Sequence, residues 1–135
     1  MKYAGFKLTK VEAERFETNP KGNINVNSNF NLGKVKREEV VGSDKDVFGF
    51  EFTYTIKYEE FATISFRGMV FIELESEDKK ITKELESSEN SKDNDLRKFI
   101  LDVVLAKTHV EALHLEERLN LPFHIQSPRV KFGEE

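Results

Sequence analysis

The sequence contains no cysteine in its 135 residues. This absence excludes disulfides, thiolate catalysis, iron–sulfur clusters and zinc sites built on cysteine. It also means that cysteine usage indicates no particular redox compartment. No apolar stretch is long enough to span a membrane or to form a signal peptide. We therefore expect a cytoplasmic protein that has no membrane partner.

Positive charge is in short supply as well. The chain has 21 Lys and Arg against 25 Asp and Glu, which gives a formal net charge of −4. Proteins that bind the phosphate backbone of nucleic acids need an excess of cationic side chains. We therefore do not expect a nucleic-acid partner. The aromatic run at residues 48–52 faintly resembles the strand on which RNA-recognition modules stack bases. Its aromatic residues share the phase of a buried sheet face, so core packing is the better interpretation.

Motifs for catalysis and for cofactors are missing too. His109, His114 and His124 do not stack on one helix face, and no carboxylate pair beside them completes a metal site. We interpret them as structural or surface histidines. The adjacent Glu116 and Glu117 are interpreted as solvated charges, and no glycine-rich phosphate loop is present. We therefore expect a protein that is not an enzyme and that uses no metal or other cofactor.

The sequence does contain the alternation of apolar and polar residues that is typical of β-strands. Three runs show it, at residues 24–32, 47–58 and 61–74. Only Glu59 and Glu60 separate the second run from the third, which predicts a tight hairpin. A fourth, irregular strand is expected near the amino terminus, at Phe6, Leu8 and residues 11–16.

A charged segment follows the strands, at residues 76–95. Eleven of its 20 residues are charged, so it cannot contribute much to a core. We expect a short surface helix around Ile81 and Leu85, and then a mobile loop at residues 86–95.

The clearest helical signal lies at residues 96–119, where the apolar residues fall into two stripes on opposite sides. One stripe consists of Leu96, Phe99, Ile100, Val103, Ala106, Val110 and Leu113. The other consists of Leu101, Val104, Leu105, Ala112, Leu115 and Leu119. Asn94 or Asp95 is expected to cap this helix and Asn120 to end it, with residues 121–132 following in extended form.

A helix that covers the edge of a small domain needs only one apolar stripe. The second stripe must therefore bury against another layer or another subunit. We expect a homo-oligomer, either a dimer or a tetramer. The predicted oligomer interface consists of Leu101, Val104, Leu105, Ala112 and Leu115.

Together these elements predict one α+β domain over residues 1–135, with a four-stranded antiparallel sheet and a long helix packed on one face. The strand that opens at residues 46–48, the hairpin and the strand that ends near residues 68–72 resemble the sheet of the bacterial export chaperone SecB. The helix end is a closer match. There, residues 121–132 resemble the family's pattern of aromatic-Pro, short apolar strand, small residue-Pro and Val-x-Phe.

The resemblance spans about residues 3–132, and it implies an ATP-independent holdase built as a dimer of dimers. Such chaperones bind unfolded or nascent polypeptides in long apolar grooves. SecB chains continue into a second helix and an acidic tail that contribute to contact with the export motor SecA. This sequence ends at Glu135, and its segment at residues 18–23 is short, which puts contact with SecA in question. SecB-like proteins also include chaperones that protect an antitoxin, and the sequence leaves that alternative open.

For contact with clients we predict apolar side chains that are not needed to cover the core. Met69 and Phe71 lie out of phase with the core set of their strand, and burial at a subunit interface is their alternative role. The resemblance adds Phe30 and Leu32, for which ordinary core packing is the alternative. A second class of function also stays open. In it, the chain is a scaffolding module or binds a small apolar ligand between the aromatic strand and the helix.

Overall fold

The computed structural model describes residues 1–16, 22, 24–38, 46–75 and 94–125. The elements in this part of the chain are strands β1 (Lys2–Arg15), β2 (Val26–Glu38), β3 (Asp46–Tyr58) and β4 (Ala62–Leu74) and helix α1 (Asn94–Arg118). The strands form one antiparallel sheet in the order β1-β4-β3-β2. This is the predicted α+β fold. The surface helix and mobile loop expected before residue 94 lie outside the described residues.

The two central strands supply most of the core. Alternate side chains of β3 and β4 point to one face of the sheet, which we call the inner face, and helix α1 packs on it. The buried side chains from β3 are Phe48, Phe50, Phe52, Tyr54, Ile56 and Tyr58. Those from β4 are Ala62, Ile64, Phe66, Val70, Ile72 and Leu74. The interpretation of the aromatic run at residues 48–52 as core is therefore confirmed.

The turn between β3 and β4 is one residue longer than predicted. It spans residues 59–61, and the Phe61 N–H donates a hydrogen bond to the Tyr58 carbonyl at 2.9 Å. Glu59 has a φ of 51°, in the left-handed region that tight turns require. Its carboxylate accepts a hydrogen bond from the Asn25 N–H at 3.0 Å, which ties the turn to the segment before β2.

Strand β1 is continuous, but its pairing with β4 shifts between Tyr3 and Gly5 and again between Leu8 and Lys10. At the second shift β1 closes onto Gly68 of β4. A Cβ atom on Gly68 would lie 2.1 Å from the Lys7 carbonyl oxygen. The absence of a side chain at position 68 therefore allows the close approach of the two backbones.

Helix α1 buries one row of residues at a spacing of four. The row consists of Leu96, Ile100, Val104, Thr108, Ala112 and Glu116, all 1% exposed or less. Four residues turn slightly more than 360°, so such a row winds slowly around the helix and crosses the sheet at an angle. The prediction that two separate apolar stripes run along the helix is therefore corrected. The single buried row begins in the first predicted stripe and passes into the second.

The carboxyl end of α1 is closed by hydrogen bonds of two kinds. Asn120 adopts a φ of 55°, and the Leu121 N–H donates to the Glu116 carbonyl at 2.8 Å, as in a Schellman motif. The Arg15 guanidinium, from the end of β1, donates to the Leu119 and Asn120 carbonyls at 2.7 and 2.8 Å. A cation is favourable at this end of the helix dipole. The prediction that Asn120 ends the helix is confirmed.

No helix in the part of the chain that the structure describes is both long and apolar enough to cross a membrane.

Replacement of Gly68 by Ala tests the close approach of β1 and β4. The added methyl group has no space beside the Lys7 carbonyl, so we expect Gly68→Ala to lower the free energy of unfolding by about 3 kcal/mol. Gly5→Ala is the matched control, since its Cβ would meet the Phe71 ring at an ordinary 3.4 Å. Urea titration of both variants measures the difference. Equal stabilities would contradict the geometry described for Gly68.

Candidate functional site

An apolar groove runs between edge strand β2 and helix α1. Its larger part encloses about 460 Å³ and is lined by Ser28, Phe30, Tyr54, Leu101, Leu105, His109, His124 and Ile125. A second part encloses about 310 Å³ and is lined by Phe30, Asn31, Leu32, Arg97, Lys98 and Leu101. The two parts share Phe30 and Leu101, so we treat them as one site, the β2–α1 groove.

The groove lies between one flank of α1 and the inner face of β2. A second row of residues at a spacing of four lies on the flank of the helix toward β2 and consists of Arg97, Leu101, Leu105 and His109. Opposite it, β2 places Ser28, Phe30 and Leu32 on the inner face, each paired with a buried residue of β3. Because Ser28 is small, the wall recedes there and leaves room beside Leu105 and His109.

Two of the residues predicted to bind clients lie in this groove. Phe30 and Leu32 are half-buried, and the Phe30 ring also stacks on Phe52 at 6.5 Å between centroids. Two residues predicted for the oligomer interface, Leu101 and Leu105, line the same groove. Leu105 is 38% exposed. The structure thus places in one groove residues that were predicted for two different roles, client binding and the oligomer interface.

Met69 and Phe71 lie on the outer face of the sheet, opposite α1, as their phase predicts. They pair with Glu51 and Gly49 of β3 and are half-buried. These two side chains fill the space above Gly49. A Cβ atom at position 49 would lie 2.9 Å from Met69 Cε and 3.1 Å from Phe71 Cε1. We call this pair the outer patch. It lies on the other side of the sheet from the β2–α1 groove.

Two predicted interface residues are placed inside the chain. Val104 and Ala112 are 0% exposed and belong to the core beneath α1. They have no surface left for a second subunit, because the buried row of the helix passes through them. Leu115 is half-buried and packs against the same core.

The interpretation of Glu116 as a solvated charge is wrong. Its side chain is fully buried and accepts hydrogen bonds from the Tyr58 hydroxyl and, at 2.7 Å, from the His124 backbone N–H. His124 Nδ1 lies 2.7 Å from its other oxygen. A buried carboxylate requires such partners. The signal that was missed is the spacing of four, which places Glu116 in line with Val104 and Ala112.

Tyr58 is the partner of Glu116 within the sheet. Burial raises the pKa of the Tyr58 hydroxyl far above its usual value, and the hydrogen bond to Glu116 raises it further. The hydroxyl therefore stays protonated and remains a donor. This contact joins the end of β3 to the last turn of α1.

His109 and His124 meet at the wider end of the groove. Their rings make an edge contact with centroids 5.7 Å apart, and the His124 side chain is 5% exposed. Among the described residues, no three acidic or histidine side chains converge to hold a metal ion. The structure places His124 as a bridge that fixes the segment after α1 against Glu116.

The fold can now be compared with known proteins. No protein-family model matches the sequence, and no curated protein matches it. Among solved structures, the fold is similar to the SecB-like chaperone Rv1957 of Mycobacterium tuberculosis, in complex with a ChAD peptide from the antitoxin HigA1 (Rv1956). The sequences are 14% identical, and the TM-score is 0.53 over 98% of this chain and 92% of the other. The chain has a SecB-like fold. The resemblance drawn from the strands and the helix end is confirmed at the level of the fold.

The buried carboxylate of this SecB-like fold can be tested by Glu116→Leu. The apolar side chain accepts no hydrogen bond, so the Tyr58 hydroxyl and the His124 backbone N–H both lose their acceptor. We expect the free energy of unfolding to fall by about 2 kcal/mol. Glu117→Leu, the same change at an exposed neighbour, should shift it by less than about 0.5 kcal/mol. Denaturant unfolding of both variants measures this, and equal losses would contradict the assigned network.

Proposed function

We propose that the protein is a cytoplasmic, ATP-independent chaperone that holds unfolded or nascent polypeptides and has no enzymatic activity. The observation that carries the proposal is the β2–α1 groove, an open apolar channel beside an edge strand in a SecB-like fold. The resemblance of the sequence to SecB supports the same function.

The shape of the groove suits an extended polypeptide. Strand β2 lies at the edge of the sheet formed by the described residues, and within them the outward N–H and C=O groups of its backbone are open to pairing with an added strand. Alternate side chains of that strand would then enter the groove beside Phe30, Leu101 and Leu105. Recognition of backbone groups and of apolar character tolerates many sequences, as a holding chaperone requires.

The similar structure supports one class of client. That SecB-like chaperone was solved with a peptide from an antitoxin. We therefore propose that antitoxin segments are candidates for this groove, together with nascent chains. The outer patch, Met69 and Phe71, is proposed as a secondary contact for longer clients that reach around the sheet.

A small-molecule function has one observation in its favour. The larger part of the groove, at about 460 Å³, falls within the usual size range of ligand sites. An apolar ligand could occupy it between Phe30 and Leu105. A ligand carrier would protect no unfolded protein from aggregation, so one assay separates the two functions.

The decisive experiment compares paired substitutions inside and outside the groove. Phe30→Thr with Leu105→Ser removes two groove side chains, one from a strand and one from the helix. We expect unfolded clients to bind about 30-fold more weakly, since each of the two lost apolar contacts contributes about 1 kcal/mol. The readouts are the suppression of client aggregation without ATP and the affinity for an unfolded client.

The matched control is Leu8→Thr with Val11→Thr. These residues are 36% and 41% exposed, both on β1, and lie outside the groove. The control should hold clients as well as wild type. Wild-type protein that protects no client at stoichiometric excess would refute the chaperone proposal and favour the small-ligand function.

We further propose that the chain forms a dimer or tetramer through α1. The support is the apolar surface that the helix leaves open away from the groove, where Val110 is 70% exposed. A helix with apolar residues on its outer side is stabilised by a second layer. Of the predicted interface residues, Leu101 and Leu105 line the groove proposed for clients, so Leu115 alone remains in this proposal.

Light scattering coupled to size exclusion is expected to report a dimer or tetramer at micromolar concentration. Ala106→Asp with Val110→Asp, on the exposed side of α1 outside the groove, should split the assembly. Burial of unpaired carboxylates at an interface costs several kcal/mol, on the order of 3 to 5. Lys57→Asp, on the outer face of β3, is the control and should leave the mass unchanged. A monomeric wild-type protein would contradict the proposal.

A further inference from the structure

The β2–α1 groove differs at its two ends. Its wider end is lined by His109, His124 and Ile125. Its narrower end is lined by Arg97 and Lys98, whose side chains are exposed. Between the two ends the large side chains Phe30, Leu101 and Leu105 are joined by the small polar Ser28 and by Asn31. A segment in the groove therefore passes from a mainly apolar surface to a cationic one.

The two cations are unfavourably placed for the helix itself. Helix α1 begins at Asn94, so Arg97 and Lys98 lie at its first turn, where the helix dipole favours negative charge. Within the described part of the chain, neither side chain forms a salt bridge. Their charge therefore stabilises no described part of the fold and is available to a molecule in the groove.

The spacing along the helix matches that of an extended peptide. Leu105, Leu101 and Arg97 follow one another at four-residue steps, each about 6 Å along the helix axis. Alternate side chains of an extended strand are about 6.6 Å apart. A peptide that places two apolar side chains beside Leu105 and Leu101 thus brings its next alternate residue to Arg97.

We infer that the groove selects extended polypeptide segments in which alternating aromatic or aliphatic residues are followed, at the next alternate position, by Asp or Glu. This inference rests on the proposed chaperone function and names the client class. The acidic side chain accepts hydrogen bonds from the Arg97 guanidinium and lies in the field of Lys98. The selection opposes the protein's net charge of −4, which by itself would favour basic segments.

Three synthetic peptides with one alternating apolar centre test the inference. They carry Asp, Ser or Lys at both ends, so the direction in which they bind does not matter. At pH 8 and low salt we expect the Asp peptide to bind about fivefold more tightly than the Ser peptide, and the Lys peptide to bind most weakly. At 1 M NaCl the differences should vanish, because the screening length falls to about 3 Å. Fluorescence anisotropy of labelled peptides gives the affinities.

Two variants assign the effect to the groove. Arg97→Gln with Lys98→Gln should abolish the preference for Asp while retaining affinity for the Ser peptide. Its melting temperature should equal or exceed that of wild type, because the change removes cations from the first turn of α1. Lys7→Gln with Lys57→Gln changes the net charge equally on the outer face and should keep the preference.

The outcomes separate this inference from the proposed function. If all three peptides bind wild type equally, the preference for acidic segments is refuted and the holding function stands. If the Lys7 and Lys57 variant also loses the preference, overall charge is the cause and the inference is refuted. If no peptide binds and no unfolded client is protected, both proposals fail.

Discussion

The buried carboxylate of Glu116 determines where helix α1 lies on the sheet. It accepts hydrogen bonds from Tyr58 at the end of β3 and from the backbone of His124 beyond the helix. An unpartnered carboxylate at this depth would be strongly destabilising, so the last turn of α1 has to stay in register with both partners. The same carboxylate holds His124, whose side chain lines the groove beside β2. The apolar groove is thus held in shape by a polar contact.

That arrangement combines a buried floor with a partly exposed wall. The floor of the groove rests on the aromatic core of β3, where Phe52 and Tyr54 are at most 3% exposed. The other wall is an edge strand with half-buried side chains. In the proposed function, a client would therefore lie on a closely packed floor and meet partly exposed side chains along β2.

Much of this fold follows from local patterns in the sequence. Alternation located β3 and β4 to within one residue, and the phase of Met69 placed it correctly on the outer face. What could not be predicted depends on packing across the whole domain. The buried row at a spacing of four winds from one predicted stripe into the other and takes Val104 and Ala112 into the core, whereas the predicted stripes run parallel to the helix axis. The groove could not be predicted either, because Phe30 and Leu105 are brought together by the packing of α1 beside β2.

The contact between Arg15 and the end of α1 joins positions more than 100 residues apart, since 104 residues separate Arg15 from Leu119. Closing such a loop carries a large entropic penalty, so contacts of this range form late in folding. The hairpin of β3 and β4 needs only a three-residue turn and has no such barrier. A ribosome-bound chain therefore exposes its own aromatic hairpin until the helix emerges. During its synthesis this protein is itself an unfolded polypeptide with exposed apolar strands.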